Sequence, residues 1–317
     1  MPPHLSFSDK RSKDAEAIAI VRGGDYDGQV LYVHNDTSVA NLPKHVEISS
    51  SKYPMTHLKP KQRQAVLSRM SRGLEGEEDD IAELDSVSRG IYKTLRTQQN
   101  NASQVTLPAD SMFEIVPTTD PKKRDVFYIA GASGSGKSYV ARTIAQNYAK
   151  LYPDRDVYLI SKLSEDPVLD KMKTGRPKRI DVGSLVETPC EDISEFANSL
   201  LLFDDVDTFG GKEEKAVQQL MDDIGAMGRH HCISMAIMTH RITNYKKTRL
   251  ILNEATHYVL YPQSTSFHNM KYLLSTYLGL APNEIKDLKK CGRWTCFHKN
   301  VPQWMLSEHT ARLLNVD

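Results

Sequence analysis

Five largely apolar residues, Val126-Phe127-Tyr128-Ile129-Ala130, run straight into Gly131-Ala132-Ser133-Gly134-Ser135-Gly136-Lys137-Ser138, and a helix-like run from Tyr139 to Lys150 follows. Strand, glycine-rich loop and helix in that order leave few folds open, because the pattern needs a buried strand that ends where a helix begins. The spacing G-x-x-x-x-G-K-S has a physical purpose. Glycines let successive backbone N–H groups turn inward around the β- and γ-phosphates of a nucleotide, and Lys137 adds a point charge. Ser138 offers its hydroxyl to Mg²⁺ at the positive end of the helix. Residues Gly131 to Tyr139 are therefore the candidate nucleotide-binding segment, with ATP and Mg²⁺ as the expected ligands.

Beyond that segment, strand and helix signals alternate. Asp156–Ser161, Ser199–Phe203, Ile233–Thr239 and His257–Tyr261 are continuous apolar runs bounded by polar turns, which suits strands buried on both faces of a parallel sheet. Helices are expected at Tyr139–Lys150, Lys212–Gly228 and Phe267–Leu278. The fold class is α/β, with a central, mainly parallel sheet spanning 106–317. A small mixed region precedes it over 1–105. There Ala17–Val21 and Gln29–His34 read as a hairpin, Val46-Glu47-Ile48 as a short strand, and Pro60–Arg72 and Asp79–Gln99 as helices after an acidic Glu75–Asp80 stretch. Phe113–Val116 reads as a strand leading into the larger domain.

Charge excludes a global basic field: 41 Lys and Arg stand against 40 Asp and Glu, a net charge of +1. Any DNA-binding surface must be local, such as the lining of a ring built from several copies. Lys59, Lys61, Arg63, Arg69 and Arg72 gather on or near one helix, and Lys246-Lys247 with Arg249 follow the fourth strand of the domain. A solvated helix face accounts for the first group. Four cysteines suit a reducing interior better than a disulfide scaffold. The N-terminus lacks the apolar core of a signal peptide, and no stretch approaches the ~20 apolar residues of a membrane span. The expectation is a soluble intracellular protein that does not meet a membrane.

The third strand ends in Asp204-Asp205. Beside a phosphate-binding loop, the first carboxylate can order the Mg²⁺ shell together with Ser138, and the second can polarise an attacking water. The fourth ends in Thr239-His240, where a hydroxyl or imidazole can sense a γ-phosphate. Hydrolysis also needs a cation on the developing charge, often from a neighbouring subunit. Arg229 is the first candidate, with Arg241 and Arg249 as rivals. Cys291, Cys296 and His298 make an incomplete zinc pattern, better read as buried thiols. Asp25-Tyr26-Asp27-Gly28 is better read as a hairpin turn than a calcium loop.

Taken together, GASGSGKS at 131–138, LLLFDD at 200–205, GRHHCISMAIMTH at 228–240 and KKTRLILNEATHYVLYP at 246–262 resemble the DNA-packaging ATPases of large nucleocytoplasmic DNA viruses. These form the poxvirus-type branch of the FtsK–HerA superfamily. In that family an arginine–histidine pair precedes a strand ending in a polar sensor, and an Arg…Asn…Thr-His stretch leads into the last strand. Those elements match Arg229-His230, Thr239-His240, and Arg249, Asn253 and Thr256-His257. The match spans roughly 110 to 280. Asp204-Asp205 departs from the Asp-Glu of many members, which bears on water activation rather than on nucleotide binding. The resemblance implies a RecA/FtsK-like sheet and an oligomeric ring with ATP between subunits, Arg229 of one copy completing the site of the next. It further implies double-stranded DNA driven into a capsid, contact with capsid or portal-vertex proteins, and a place in the host cytoplasm, in a virus factory or in the virion. Competing readings are a helicase loader or other AAA-type ATPase, a small-molecule kinase, and a nucleotide-gated assembly scaffold.

Overall fold

The computed structural model describes residues 3–7, 15–35, 46–47, 55, 57–71, 84–98, 102–172, 174–243 and 248–315. The expected acidic stretch Glu75–Asp80, Arg72, Ile48 and the lysine pair Lys246-Lys247 lie outside these residues. Two units are present: Met1–Val116 with Pro302–Asp317, and Pro117–Val301. Whereas the sequence reading divided the chain once, between 105 and 106, the last segment of the chain belongs with the first unit. The cause is a non-local strand pairing of that last segment with residues 104–106.

In chain order the first unit holds β1 (His4–Ser6), β2 (Glu16–Arg22), β3 (Val30–His34), β4 (Val46–Glu47), helices α1 (Pro60–Ser71) and α2 (Ser86–Gln98), β5 (Gln104–Thr106) and β6 (Met112–Ile115). The β2–β3 hairpin turns through a short 3-10 segment at Gly24–Tyr26, so Asp25-Tyr26-Asp27-Gly28 is a turn, tied by Gly23 N–H donating to Asp27 Oδ1 at 2.9 Å. Strand order β1-β3-β2-β6 is antiparallel throughout. Helix α2 starts at Ser86 because the Asp85 carboxylate accepts from the N–H groups of Val87 and Ser88.

The second unit contributes β7 (Val126–Ala130), α3 (Lys137–Leu151), β8 (Val157–Ile160), β9 (Lys178–Ile180), α4 (Val182–Glu187), β10 (Leu200–Phe203), α5 (Gly211–Met227), β11 (Ser234–Thr239), α6 (Arg249–Glu254), β12 (His257–Leu260), α7 (Phe267–Leu278), α8 (Pro282–Asp287) and β13 (Thr295–His298). The chain then closes in the first unit with the hairpin β14 (Trp304–Ser307) and β15 (Thr310–Leu313). Strand β15 pairs with β5, Thr310 opposite Thr106, which is why the C-terminus belongs there.

The sheet of the second unit runs β13-β12-β7-β11-β10-β8-β9. Its strands β12, β7, β11, β10, β8 and β9 are parallel and β13 is antiparallel to β12. This is the P-loop NTPase fold, an α/β architecture with a mainly parallel sheet. Every residue of β7, β10, β11 and β12 is buried, as their unbroken apolar runs predict. Helix α3 covers them with Val140, Ala141, Ile144, Ala145 and Tyr148, spaced three and four apart on one face.

Where the parallel strands begin, His257 is buried between the rings of Phe127 and His298, 4.5 and 4.8 Å away. Its Nδ1 lies 2.8 Å from Thr256 Oγ1 and 3.8 Å from the buried Asp125 carboxylate. Burial, aided by His298, drives its pKa well below 6.5 in spite of Asp125. Below about pH 6.5 the unfolded chain binds a proton that the native imidazole refuses, so stability is lost as pH falls. In chemical denaturation between pH 8 and 5, the stability that wild type holds over His257→Gln should decline as pH falls, approaching ~1.4 kcal/mol per pH unit for one proton. Equal slopes in the two proteins would assign the proton elsewhere.

Candidate active site

Three strand ends build the site. Parallel pairing puts the C-terminal ends of β7, β11 and β10 on one edge, with Ala130 opposite Thr239 and Ile237 opposite Phe203. The residues that follow, Gly131, His240 and Asp204-Asp205, emerge side by side at strand spacings of ~4.8 Å. Such an edge is where ligands bind in open α/β sheets.

The loop itself needs its glycines. A Cβ on Gly131 would lie 2.5 Å from the Tyr261 ring, and Gly136, at φ 108°, takes a backbone conformation closed to other residues. Gly136 caps α3, so the helix begins at Lys137, two residues before the expected Tyr139. Gly131 N–H donates to Thr239 O at 3.1 Å, tying the loop to the neighbouring strand end.

Lys137 is buried and central. Its Nζ donates to Gly131 O at 3.1 Å, to Ala132 O at 3.4 Å and to His240 Nδ1 at 3.1 Å, and it lies 3.5 Å from Asp205 Oδ1. The other ring nitrogen, His240 Nε2, is 3.3 Å from the same Asp205 oxygen. An ammonium can only donate, so Nδ1 accepts and Nε2 carries the hydrogen that points at Asp205. Lysine, imidazole and carboxylate thus close a small charged ring. Asp205 reaches it because β10 ends in a left-handed turn, φ 43° and ψ 52° at this residue, a conformation aspartate tolerates better than most.

Asp204 is buried beside it, and Ser161 Oγ donates to its Oδ2 at 2.9 Å. Burial, with the Asp205 charge, pushes its carboxyl up to about 6. Asp204 is thus a carboxylate short of positive charge, as a cation ligand should be. Ser138 is half-buried in the first turn of α3. Ser135 Oγ is buried without a hydrogen-bond partner, a hydroxyl turned inside the loop. Glycine cradle, donor lysine, orphaned hydroxyl and desolvated carboxylate fit a nucleotide phosphate with Mg²⁺. Tyr139, 46% exposed, carries the Arg142 guanidinium over its ring at 4.8 Å.

Of the two sensor candidates, His240 reaches the lysine. Thr239 is committed elsewhere: its hydroxyl donates to Asp207 Oδ2 at 2.7 Å. The N–H groups of His240 and Arg241 converge on that same oxygen at 2.6 and 3.2 Å. Asp207, overlooked in the sequence reading, is the hub that orients the end of β11. Its signal was a third acid two places after the pair. Arg229 lies outside the site of its own chain. It follows α5 at the edge where the parallel strands begin and bears electrostatically on Arg124 there, about 20 Å from the loop along the six residues of β11. Arg241 adjoins the site; Arg249 opens α6. A second residue absent from the sequence reading is Arg293, which lies against the loop: its Nε donates to Ser135 O at 2.8 Å.

Asp207→Ala should lower unfolding stability by about 1–3 kcal/mol, since three donors lose one acceptor. Asp207→Asn, which keeps an oxygen, should lose less. Equal denaturation midpoints for wild type and Asp207→Ala would show that water replaces the carboxylate at no cost.

No protein-family model matches the chain. Among solved structures, the genome packaging NTPase B204 of Sulfolobus turreted icosahedral virus 2, in complex with ATP-gammaS, aligns over 60% of this chain and 97% of its own, at 16% identity and a TM-score of 0.40. The pCW3 conjugation coupling protein TcpA aligns over 95% and 78%, at 13% identity and a TM-score of 0.38. Strand order and loop geometry by themselves make this a P-loop NTPase fold. Among curated proteins, Sputnik virophage protein V3, itself uncharacterised, is 32% identical over 212 residues, covering 63% of this chain and 82% of V3. The chain belongs to the family of Sputnik virophage protein V3.

Proposed function

We propose that the chain is a Mg²⁺-dependent ATPase of the FtsK–HerA type that drives double-stranded DNA into a viral capsid as an oligomeric ring. The observation that carries the catalytic part is the contact of Lys137, His240 and Asp205, which joins three strand ends that sequence alone could only set side by side. The packaging part rests on the residue pattern of 131–138, 200–205, 228–240 and 246–262, which resembles poxvirus-type packaging ATPases. Capsid or portal-vertex contacts, and action inside an infected cell, follow from that same pattern. Among the described residues no helix is long and apolar enough to cross a membrane.

In this reading backbone N–H groups at the end of the loop and the start of α3, together with the Lys137 ammonium, hold the β- and γ-phosphates. Ser138 and Asp204 would hold Mg²⁺, which would neutralise phosphate charge. Asp205 accepts a hydrogen bond from the attacking water and orients it. His240 bridges Asp205 and Lys137, so a phosphate that draws Lys137 away alters the hydrogen bonding of the imidazole. That change is the sensing event, with Asp207 fixing the backbone against which it is read. Arg229, on the far edge of its own sheet, serves the site of a neighbouring copy.

Steady-state ATP hydrolysis should rise with long double-stranded DNA and fall at least about a hundredfold in Lys137→Ala. An Arg229→Ala protein should be equally weak alone, yet regain activity on mixing with Lys137→Ala, since each supplies what the other lacks. A rate indifferent to DNA would remove the translocase and leave a loader or kinase. Nucleotide binding without turnover would leave a scaffold.

A further inference from the structure

We infer that Arg293 is a positioning residue of the nucleotide site: it clamps the outer face of the phosphate-binding loop and so sets nucleotide affinity. The inference rests on the ATPase reading above and extends it to a residue outside every motif of the chain.

Strand registers bring Arg293 there. Ala130, the last residue of β7, lies opposite Leu260 of β12, and Leu260 lies opposite Thr295 of β13. Arg293 stands two residues before Thr295, so it leaves the sheet at the level where the loop begins. Gly292, at φ 105°, makes the turn that delivers it. The guanidinium then meets the loop twice: Nε donates to Ser135 O at 2.8 Å, and Nη2 donates to Gly134 O at 3.3 Å. Its plane also lies over Gly136, whose Cβ, were there one, would sit 3.3 Å from Cζ and Nη2.

This contact has an electrostatic purpose. Where the tip of the loop offers N–H groups to phosphate, the Gly134 and Ser135 carbonyls face away from it, onto Arg293. Outward carbonyls leave negative partial charge on the back of an anion site and are free to rotate back. Arg293 covers two of them with a fixed fork of donors, which holds Gly134 and Gly136 in their left-handed conformations and adds positive charge behind the phosphates. It touches the loop and not the reacting atoms. Its effect should therefore fall on binding rather than on the chemical step. Lysine, a point donor with no plane to lay on Gly136, can replace only part of the contact.

The test is titration of ADP and ATPγS with Mg²⁺ against wild type, Arg293→Ala, Arg293→Lys and Lys137→Ala, beside steady-state kinetics and thermal melts. Arg293→Ala should weaken nucleotide binding about tenfold and raise KM in proportion, while kcat stays within about threefold and Tm without nucleotide is unchanged. Arg293→Lys should fall between the two. Wild-type affinity in Arg293→Ala, with binding abolished in Lys137→Ala, would overturn the inference and leave the ATPase reading intact. A kcat loss without a KM change would also overturn it. Should Arg293→Ala not fold, full affinity in Arg293→Lys would refute the bidentate clamp. No binding by wild type would remove the ATPase reading, and this inference with it.

Discussion

The parallel pairing of β7 with β11 is the constraint on which the site depends. It places Ala130 opposite Thr239 and ties Gly131 N–H to Thr239 O. A slip of one residue would turn the side chains of the slipped strand to the opposite face of the sheet. It would also pull His240 from Lys137. The charged ring of Lys137, His240 and Asp205 is thus a consequence of sheet register before it is a matter of side-chain chemistry.

Asp204 and Asp205 are neighbours in sequence with opposite environments. Asp204 is buried, held by one serine hydroxyl, and its carboxyl is raised to about 6. Asp205 is turned by a left-handed backbone toward lysine and imidazole and keeps a third of its side chain in solvent. One strand end thereby provides a desolvated carboxylate suited to a cation and a solvated one suited to water. Division of labour between adjacent acids needs no difference in residue type, only in backbone direction.

Much of this was legible in the chain because the signals were local. The apolar runs of β7, β10, β11 and β12, the loop glycines, and the acids and polar residues closing β10 and β11 each announce themselves within a few residues. What escaped depends on contacts far apart in sequence. Arg293 meets Ser135 across 158 positions, and β15 finds β5 by a pairing with no periodic trace in either. Short strands such as β9 and β13 carry too few residues for alternation to be read. Asp207 could have been found as a third acid after the pair. Its role could not, since a carboxylate gathering three donors is visible only once β11 lies beside it.

Helix α5 joins two places that the site chemistry treats separately. It starts at Gly211, shortly after the Asp204–Asp207 turn, and stops at Met227, two residues before Arg229. Its seventeen residues make a rod about 25 Å long, and a rod of hydrogen-bonded turns transmits displacement without absorbing it. Any tilt imposed where the acids lie would therefore reappear at the far end as a movement of Arg229. If Arg229 serves a neighbouring copy as proposed, one copy's turnover would be felt mechanically by that neighbour.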